Sequence, residues 1–411
     1  MILNKIRNLE DYEKVFYAAF IAYIFTYPGR YGFGTAISAI AQTEGFTTTQ
    51  LGLVTSALFA SYGIGQLISG VLGDKLNPSI LVSVGFFGCG TANLFMAFAR
   101  SIPVMAAAWV INGLYCSLIW APLVRQLTDI MPSERVNRAM LSMQYCTTIG
   151  MVFTFLLVSL ITAVTHWRVT FFITSALVYG AAILWTVTAK RNVHREKIPR
   201  NERKIRRIND KKDVDKVKVF IKSGFVLILL LTLYLGFMKD GIQTWVPKAV
   251  TDTFGTTPAL SIFLSTALPI INVMIVFVVR FLQRKFKDDD LLHTCLLFGG
   301  AGIILAIIAL VLKANIVLTV GLFSLASACI FGVSTALTYL LPVKFTKYGC
   351  SSAAAGFTNA FSYLGSSLSG VGIGLLCENL SWGYVCLFLC GLCLLGSIIA
   401  LAIRPVWRKF K

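Results

Sequence analysis

Phe25-Thr26-Tyr27-Pro28-Gly29-Arg30-Tyr31-Gly32 places one arginine in the middle of an apolar run, and Leu235-Gly236-Phe237-Met238-Lys239-Asp240-Gly241 places one lysine in another. Desolvating such a cation costs at least ~2.5 kcal/mol even on the mildest insertion scale. A chain therefore keeps one at mid-bilayer only where a cavity, partner or ligand compensates. Arg30-Tyr31-Gly32 and Lys239-Asp240-Gly241 lie 209 residues apart, and so do the run starts Leu51 and Leu260. That equal spacing reads the chain as two halves of one repeated design. The two cations then belong to an anion site held between the halves.

The surrounding composition supports a membrane setting. Of 411 residues 56% are hydrophobic and 13% charged, with a mean hydropathy of +0.76. Twelve apolar runs are each long enough to cross a hydrocarbon core of ~30 Å, six before the centre of the chain and six after it. The expected fold is an all-α membrane protein of twelve transmembrane helices in two six-helix bundles. Its expected organisation is an N-terminal bundle over 1–189, a basic linker over 190–222 and a C-terminal bundle over 223–411.

The linker carries fourteen Lys/Arg against five Asp/Glu and has no sustained apolar period. Its position between two membrane blocks reads as a cytosolic segment attracted to anionic lipid headgroups, so the net charge of +19 calls for no nucleic-acid partner. With both termini and the linker in the cytoplasm, thirty of the thirty-seven Lys/Arg fall inside and only Arg100, Arg168, Lys248 and Lys313 fall outside. Arg30, Arg125 and Lys239 remain within spans. Such asymmetry fits the positive-inside rule. The polar N-terminus precedes an apolar run longer than a signal-peptide core and without a small-residue cleavage site, so it reads as a retained first helix.

Enzyme chemistry has no foothold in this pattern. His166, His194 and His293 lie in loops or at span edges, and no nucleophile–base pair or phosphate-cradling loop accompanies them. Ten cysteines fall mostly inside apolar runs, as Cys377, Cys386, Cys390 and Cys393 do, which favours helix packing over disulfide or metal use. No cofactor is expected. The glycine-rich run Gly356–Gly374 lies inside a spanning segment, where small residues let helices approach closely. Arg125, a cation within the fourth span, invites a substrate-contact reading, and two others stand beside it. Asp129 follows on the same helical face and offers an i,i+4 pair near the cytosolic end, and the pair also suits a gating network with Glu134 or Arg135.

Gly70-Val71-Leu72-Gly73-Asp74-Lys75 resembles the G-x-x-x-D-R/K signature of the major facilitator superfamily, although Leu76-Asn77-Pro78-Ser79 lacks the basic pair that follows it. By that resemblance Asp74 locks bundle contacts on the cytosolic side. Several stretches, in order along the chain, resemble the organophosphate:phosphate antiporter family, which includes glycerol-3-phosphate and hexose-phosphate transporters. They are Tyr23 to Arg30, Gly73 to Pro78, Asn112-Gly113 with Trp120-Ala121-Pro122, Gly241 to Pro247, and Ala354 to Thr358 with Tyr363-Leu364-Gly365.

The resemblance carries Arg30 onto the family's phosphate-binding arginine, and Tyr23, Tyr27 and Tyr363 onto aromatic cavity positions. Lys239 stands where the family has a second arginine; it keeps a cation but loses the planar fork that grips phosphate bidentately. Thr147, Gln66 and Thr266 replace a histidine, a lysine and a glutamate, so the exact ligand is expected to differ. Gln66 and Thr147 are then expected against its non-phosphate part. Asp240, where the family has an uncharged residue, either pairs with Lys239 or carries a proton.

The function so implied is secondary transport of a small organic phosphate or related organic anion across the cytoplasmic membrane, in exchange for inorganic phosphate. A carboxylate carrier, a proton-coupled importer and a transporter-like sensor of sugar phosphates are the alternatives. A site lying between halves of one polypeptide makes a monomer the default.

Overall fold

The computed structural model describes residues 9–192, 216–286, 289–348 and 350–410. Most of the expected linker, 193–215, and the side chains of Asp74 and Glu134 lie outside the described residues.

Among the described residues, twelve long helical elements follow one another. The first six are α1 (Asp11–Glu44), α2 (Thr48–Lys75), α3 (Pro78–Phe98), α4 (Ile102–Ile130), α5 (Ser133–Val164) and α6 (Arg168–Asn192). A short helix, Lys216–Lys222, leads into α7 (Phe225–Phe254), α8 (Pro258–Lys285), α9 (Asp290–Val311), α10 (Ile316–Val343), α11 (Ser351–Asn379) and α12 (Trp382–Phe410). Eleven are long and apolar enough to cross a membrane. The exception is α1, whose run is diluted by Tyr23, Thr26, Tyr27, Pro28, Gly29 and Arg30, residues that turn inward.

The repeat visible in sequence recurs in the turns. α1 stops at Gly45, whose φ of 69° is open to glycine at no steric cost, and Thr47 caps α2 by accepting the Gln50 N–H at 3.2 Å. α7 stops in the same way at Gly255, φ 63°, and Thr257 caps α8 by accepting the Leu260 N–H at 3.4 Å. Packing follows the same symmetry. α1 lies against α5 and α6, and α2 and α3 against α4; in the second half α7 lies against α11, α8 against α10 and α9 against α12. The two groups of six meet along α2–α11, α5–α8 and α1–α7, pairs that exchange when every index shifts by six.

Small residues govern the closest of these approaches. A carbon added at Gly365 would strike the Leu233 carbonyl of α7, and one at Gly370 would lie 2.6 Å from the Gly52 carbonyl of α2. The expected packing role of the glycine-rich run therefore holds at its centre, whereas Gly356 faces open space.

At the face where α6 ends and α7 begins, here called the linker face, Asp289 accepts hydrogen bonds from Arg404 Nε at 2.8 Å and from the Leu292 N–H at 3.2 Å, with Arg408 Nε at 3.1 Å. Burial alone would raise its pKa, but these hydrogen bonds and charges win and hold the carboxyl below its ordinary value. A depressed folded-state pKa stabilises the protein above the unfolded-state value, and that contribution is lost as pH falls through the folded one. Asp289→Asn is expected to lower the melting temperature at pH 7 and to leave it unchanged below the carboxylate range. Equal shifts at both pH values would refute the assignment.

Candidate functional site

Where α1 and α7 meet, the chain encloses a cavity of about 130 Å³, room for several waters or one small anion. Its walls come from α1, α2, α4, α5, α7, α10 and α11. Pro28 interrupts the α1 hydrogen-bond ladder just before the site. The next carbonyl, Gly29 O, is gripped by Asn93 Nδ2 of α3 at 3.0 Å and by Asn112 Nδ2 of α4 at 2.7 Å. Two buried amides thus fix the backbone that carries Arg30.

Arg30 is 7% exposed. Its guanidinium lies 3.9 Å from the Tyr62 ring centre, 5.0 Å from Tyr31 and 5.1 Å from Tyr363, and Nη2 donates to the Tyr363 hydroxyl at 2.7 Å. Among the described residues no carboxylate comes within ion-pair distance of it, and its buried Nε has no hydrogen-bond partner. A desolvated cation–π contact contributes about 2 kcal/mol, comparable with the smallest cost of burying the cation but without neutralising its charge. The arrangement is a caged cation with donor capacity left over.

Lys239 faces the same cavity, with Nζ 5.5 Å from the Tyr363 ring centre and 3.6 Å from Asp240 Oδ2. Asp240 is held from two further directions, since Ser366 Oγ donates to Oδ2 at 2.5 Å and the Tyr31 hydroxyl donates to Oδ1 at 3.4 Å. Tyr31 and Asp240 occupy equivalent places in the two repeats, so this bond joins the halves at their pseudo-axis. Tyr363 links both cations, through its hydroxyl to Arg30 and its ring to Lys239.

The other expected residues also come together. Tyr23, Tyr27, Gln66 and Thr147 line the cavity, and the Tyr27 hydroxyl donates to Thr147 Oγ1 at 2.9 Å. The carboxamide nitrogens of Gln66 and Gln243 are buried without partners. Arg30, Gln66 and Gln243 thus bring polar side chains with unused donors to the walls of one cavity, which suits a ligand that presents acceptors.

Arg125 and Asp129 stand elsewhere, near the linker-face end of α4 and 3.8 Å apart, and do not line the cavity. Thr266 interrupts α8 between Ser265 and Ala267 and is likewise away from the walls. Tyr62, Tyr339 and Asn359 also line the cavity, as do Tyr31 and Trp120, which the sequence motifs include without a cavity role. Tyr339 sits in a π-helical stretch, Thr335–Leu340, just before Pro342, whose missing N–H disrupts the regular ladder.

The cavity is sealed on the face opposite the linker. Thr48 Oγ1 of α2 donates to Gly374 O of α11 at 3.0 Å. The Glu378 carboxylate accepts the Thr49 N–H at 3.1 Å and the Thr49 hydroxyl at 2.6 Å. Ser56 Oγ donates to Ser367 O and accepts the Val371 N–H at 2.9 Å. Ser159 of α5 donates to Ala259 O of α8 at 2.8 Å. Wall residues Tyr23, Gln66, Trp120 and Met143 extend from Arg30 toward the linker face instead.

Two symmetric helix groups around a central cavity with a caged arginine define a two-bundle membrane carrier rather than an enzyme. The chain belongs to the Major Facilitator Superfamily, whose profile matches residues 19–370. Along nearly its whole length it is similar to the glycerol-3-phosphate transporter of Bacillus subtilis (strain 168), with 23% identity over 97% of this chain and 93% of that one. A shorter stretch is 35% identical to a probable hexose phosphate transport protein of Chlamydia pneumoniae, covering 30% of each chain. This chain thus spans under a third of that relative in the match. Among solved structures, the nucleoside transporter NupG superposes with a TM-score of 0.72 at 14% identity, over 96% of this chain and 99% of that one, a likeness of fold alone.

Proposed function

We propose that this protein is a secondary transporter that moves a small organic phosphate or related organic anion across the cytoplasmic membrane by alternating access, in exchange for inorganic phosphate. The observation that carries the reading is the unneutralised guanidinium of Arg30, facing a cavity that Lys239 enters from the other bundle. Fixed donors and two cations recognise an oxyanion, and charge-assisted hydrogen bonds are the strongest such contacts. Relatives named for glycerol-3-phosphate and hexose phosphate support the phosphate class. Tyr23, Tyr27, Tyr363, Gln66 and Thr147 complete the cavity in this reading.

Alternation follows from the seams. One face is closed by hydrogen bonds between α2 and α11 and between α5 and α8, and rocking of one bundle against the other about Arg30 and Lys239 would open it. In this reading Asp240 acts as an anchor for Lys239 and not as a proton carrier, held in place by the Ser366 and Tyr31 hydroxyls beside the ammonium. Arg125 and Asp129, with Asp74, act at the linker-face end, away from the ligand. One chain builds the whole cavity, which supports a monomer. Uptake of organic phosphate into proteoliposomes loaded with inorganic phosphate tests the reading; binding without flux would make the protein a sensor. The sensor reading has its own support in a 24% identity to the membrane sensor protein UhpC of Escherichia coli (strain K12), over 23% of this chain and 22% of that one.

The thirty-to-four division of loop cations supports a cytoplasmic location for both termini and the linker. Single cysteines at Thr47 and Thr256 are expected to react with an impermeant thiol reagent added outside intact cells, and one at Lys204 is not. External labelling at Lys204 would reverse the topology.

A further inference from the structure

The charge count of the cavity points to more than a preference for anions. Arg30 and Lys239 bring two positive charges to it, and Asp240 returns one negative charge from 3.6 Å away. We infer that Asp240 sets the charge class of the substrate: it lowers the site to a net +1, so that the anion bound carries one negative charge, and a phosphate ester enters with one proton more than its predominant form at neutral pH. The inference rests on the proposed reading of the cavity as an organic-anion site.

Geometry makes the carboxylate a fixed part of the site. Asp240 is 2% exposed and is held by Ser366 Oγ at 2.5 Å, by the Tyr31 hydroxyl at 3.4 Å and by Lys239. All three partners can present hydrogen to it, the Ser366 hydroxyl also lying within reach of Ser362 O at 3.0 Å and Gly236 O at 3.2 Å. The titratable or charged groups that face it from neighbouring helices are Arg30 and Tyr31 of α1, Tyr363 of α11 and Tyr339 of α10, with Tyr62 of α2 beyond Arg30. α8 and α12 contribute no wall residue. Among the described residues no second carboxylate lines the cavity.

A dianion entering such a site would leave one uncompensated negative charge in a water-poor space beside Asp240, a like-charge arrangement that favours protonation of one partner. The second pKa of a phosphate monoester is about 6, so the monoanion is the minor form at pH 7 but readily reached. Uptake of one proton from solution onto the ester balances the site. A sulfonate is a monoanion at every working pH and needs no such step.

Calorimetric titration of the purified full-length protein tests this with glycerol-3-phosphate and a short alkylsulfonate as probes, in buffers of differing ionisation enthalpy between pH 6 and 8. Wild-type protein is expected to take up close to one proton per phosphate ester bound, and its affinity for the ester is expected to fall about tenfold from pH 7 to pH 8. Sulfonate affinity should change less than twofold over the same range with no proton uptake. Asp240→Asn raises the net charge to +2 and is expected to bind the ester with no proton uptake and a flat pH profile.

The double variant Lys239→Gln with Asp240→Asn restores a net +1. It is expected to regain ester binding relative to Lys239→Gln alone, together with the one-proton uptake, and it keeps the idea testable where Asp240→Asn does not fold. Ester binding by wild type without proton uptake, or an unchanged pH profile in Asp240→Asn, would overturn the role of Asp240 while leaving the anion site standing. Absence of binding by either probe at every pH would instead overturn the anion-site reading itself.

Discussion

Arg30→Gln is expected to abolish detectable binding of organic phosphate by the purified protein while leaving it inserted and folded. Truncating one partner of a buried, hydrogen-bonded charge pair costs 2–5 kcal/mol or more, about 30-fold to several thousand-fold in affinity. Stability should move the other way or not at all. Among the described residues the guanidinium makes no ion pair, and it keeps an unpartnered Nε, so its removal relieves a desolvation cost that the Tyr31, Tyr62 and Tyr363 rings offset only in part. Loss of binding with an undiminished melting temperature would separate a ligand-binding cation from a structural one. Lys239→Gln should also abolish binding, and it additionally strands Asp240 without its ammonium. Lys239→Arg should be tolerated, because it keeps the charge and restores a bidentate fork. An unchanged dissociation constant in either glutamine variant would refute the site.

Arg30 and Lys239 were legible in sequence because a lone cation in an apolar run has no bland explanation at that depth, and their 209-residue spacing also disclosed the repeat. Tyr31 and Tyr62 were not legible. A tyrosine in a spanning helix reads equally as packing, interface anchor or cavity wall, and only the assembled bundle shows which face of α2 turns toward Arg30. One signal was present and unused. Adding the repeat spacing to Tyr31 gives Asp240, the residue its hydroxyl reaches. Asp240 itself stayed ambiguous in sequence between anchor and proton carrier, since Ser366 lies far along the chain and meets it only through the packing of α11 on α7. Arg125 remained open for a similar reason. Only the fold shows that it lies along α4 beyond the cavity, with Asp129 3.8 Å away. The first span, expected over 15–41 from its apolar run, forms a long helix, Asp11–Glu44, but lacks the hydropathy of the other eleven because its inward-facing polar residues dilute the run.

Gly370→Val should arrest exchange while sparing binding. A carbon at this position meets Ser56 Oγ and lies 2.6 Å from the Gly52 carbonyl and 2.9 Å from Ser56 N, so two of its three nearest neighbours are backbone atoms that cannot rotate away. Overpacking of this kind costs 1–3 kcal/mol. Here the strain falls only on the conformation in which α2 and α11 touch, so it acts on the equilibrium between the two faces. Each 1.4 kcal/mol shifts that equilibrium about tenfold toward the state open on the face opposite the linker. The Thr49–Glu378 and Ser56–Val371 hydrogen bonds that close this face would be lost in the same step. Arg30 and Lys239 lie deeper, on α1 and α7, and keep their places. Proteoliposome exchange is therefore expected to fall about 10- to 100-fold with the dissociation constant changed less than threefold, and a cysteine at Ser367 should become reactive to an impermeant reagent. Exchange at the wild-type rate would show that α2 and α11 need not close along Gly52 and Gly370 during transport.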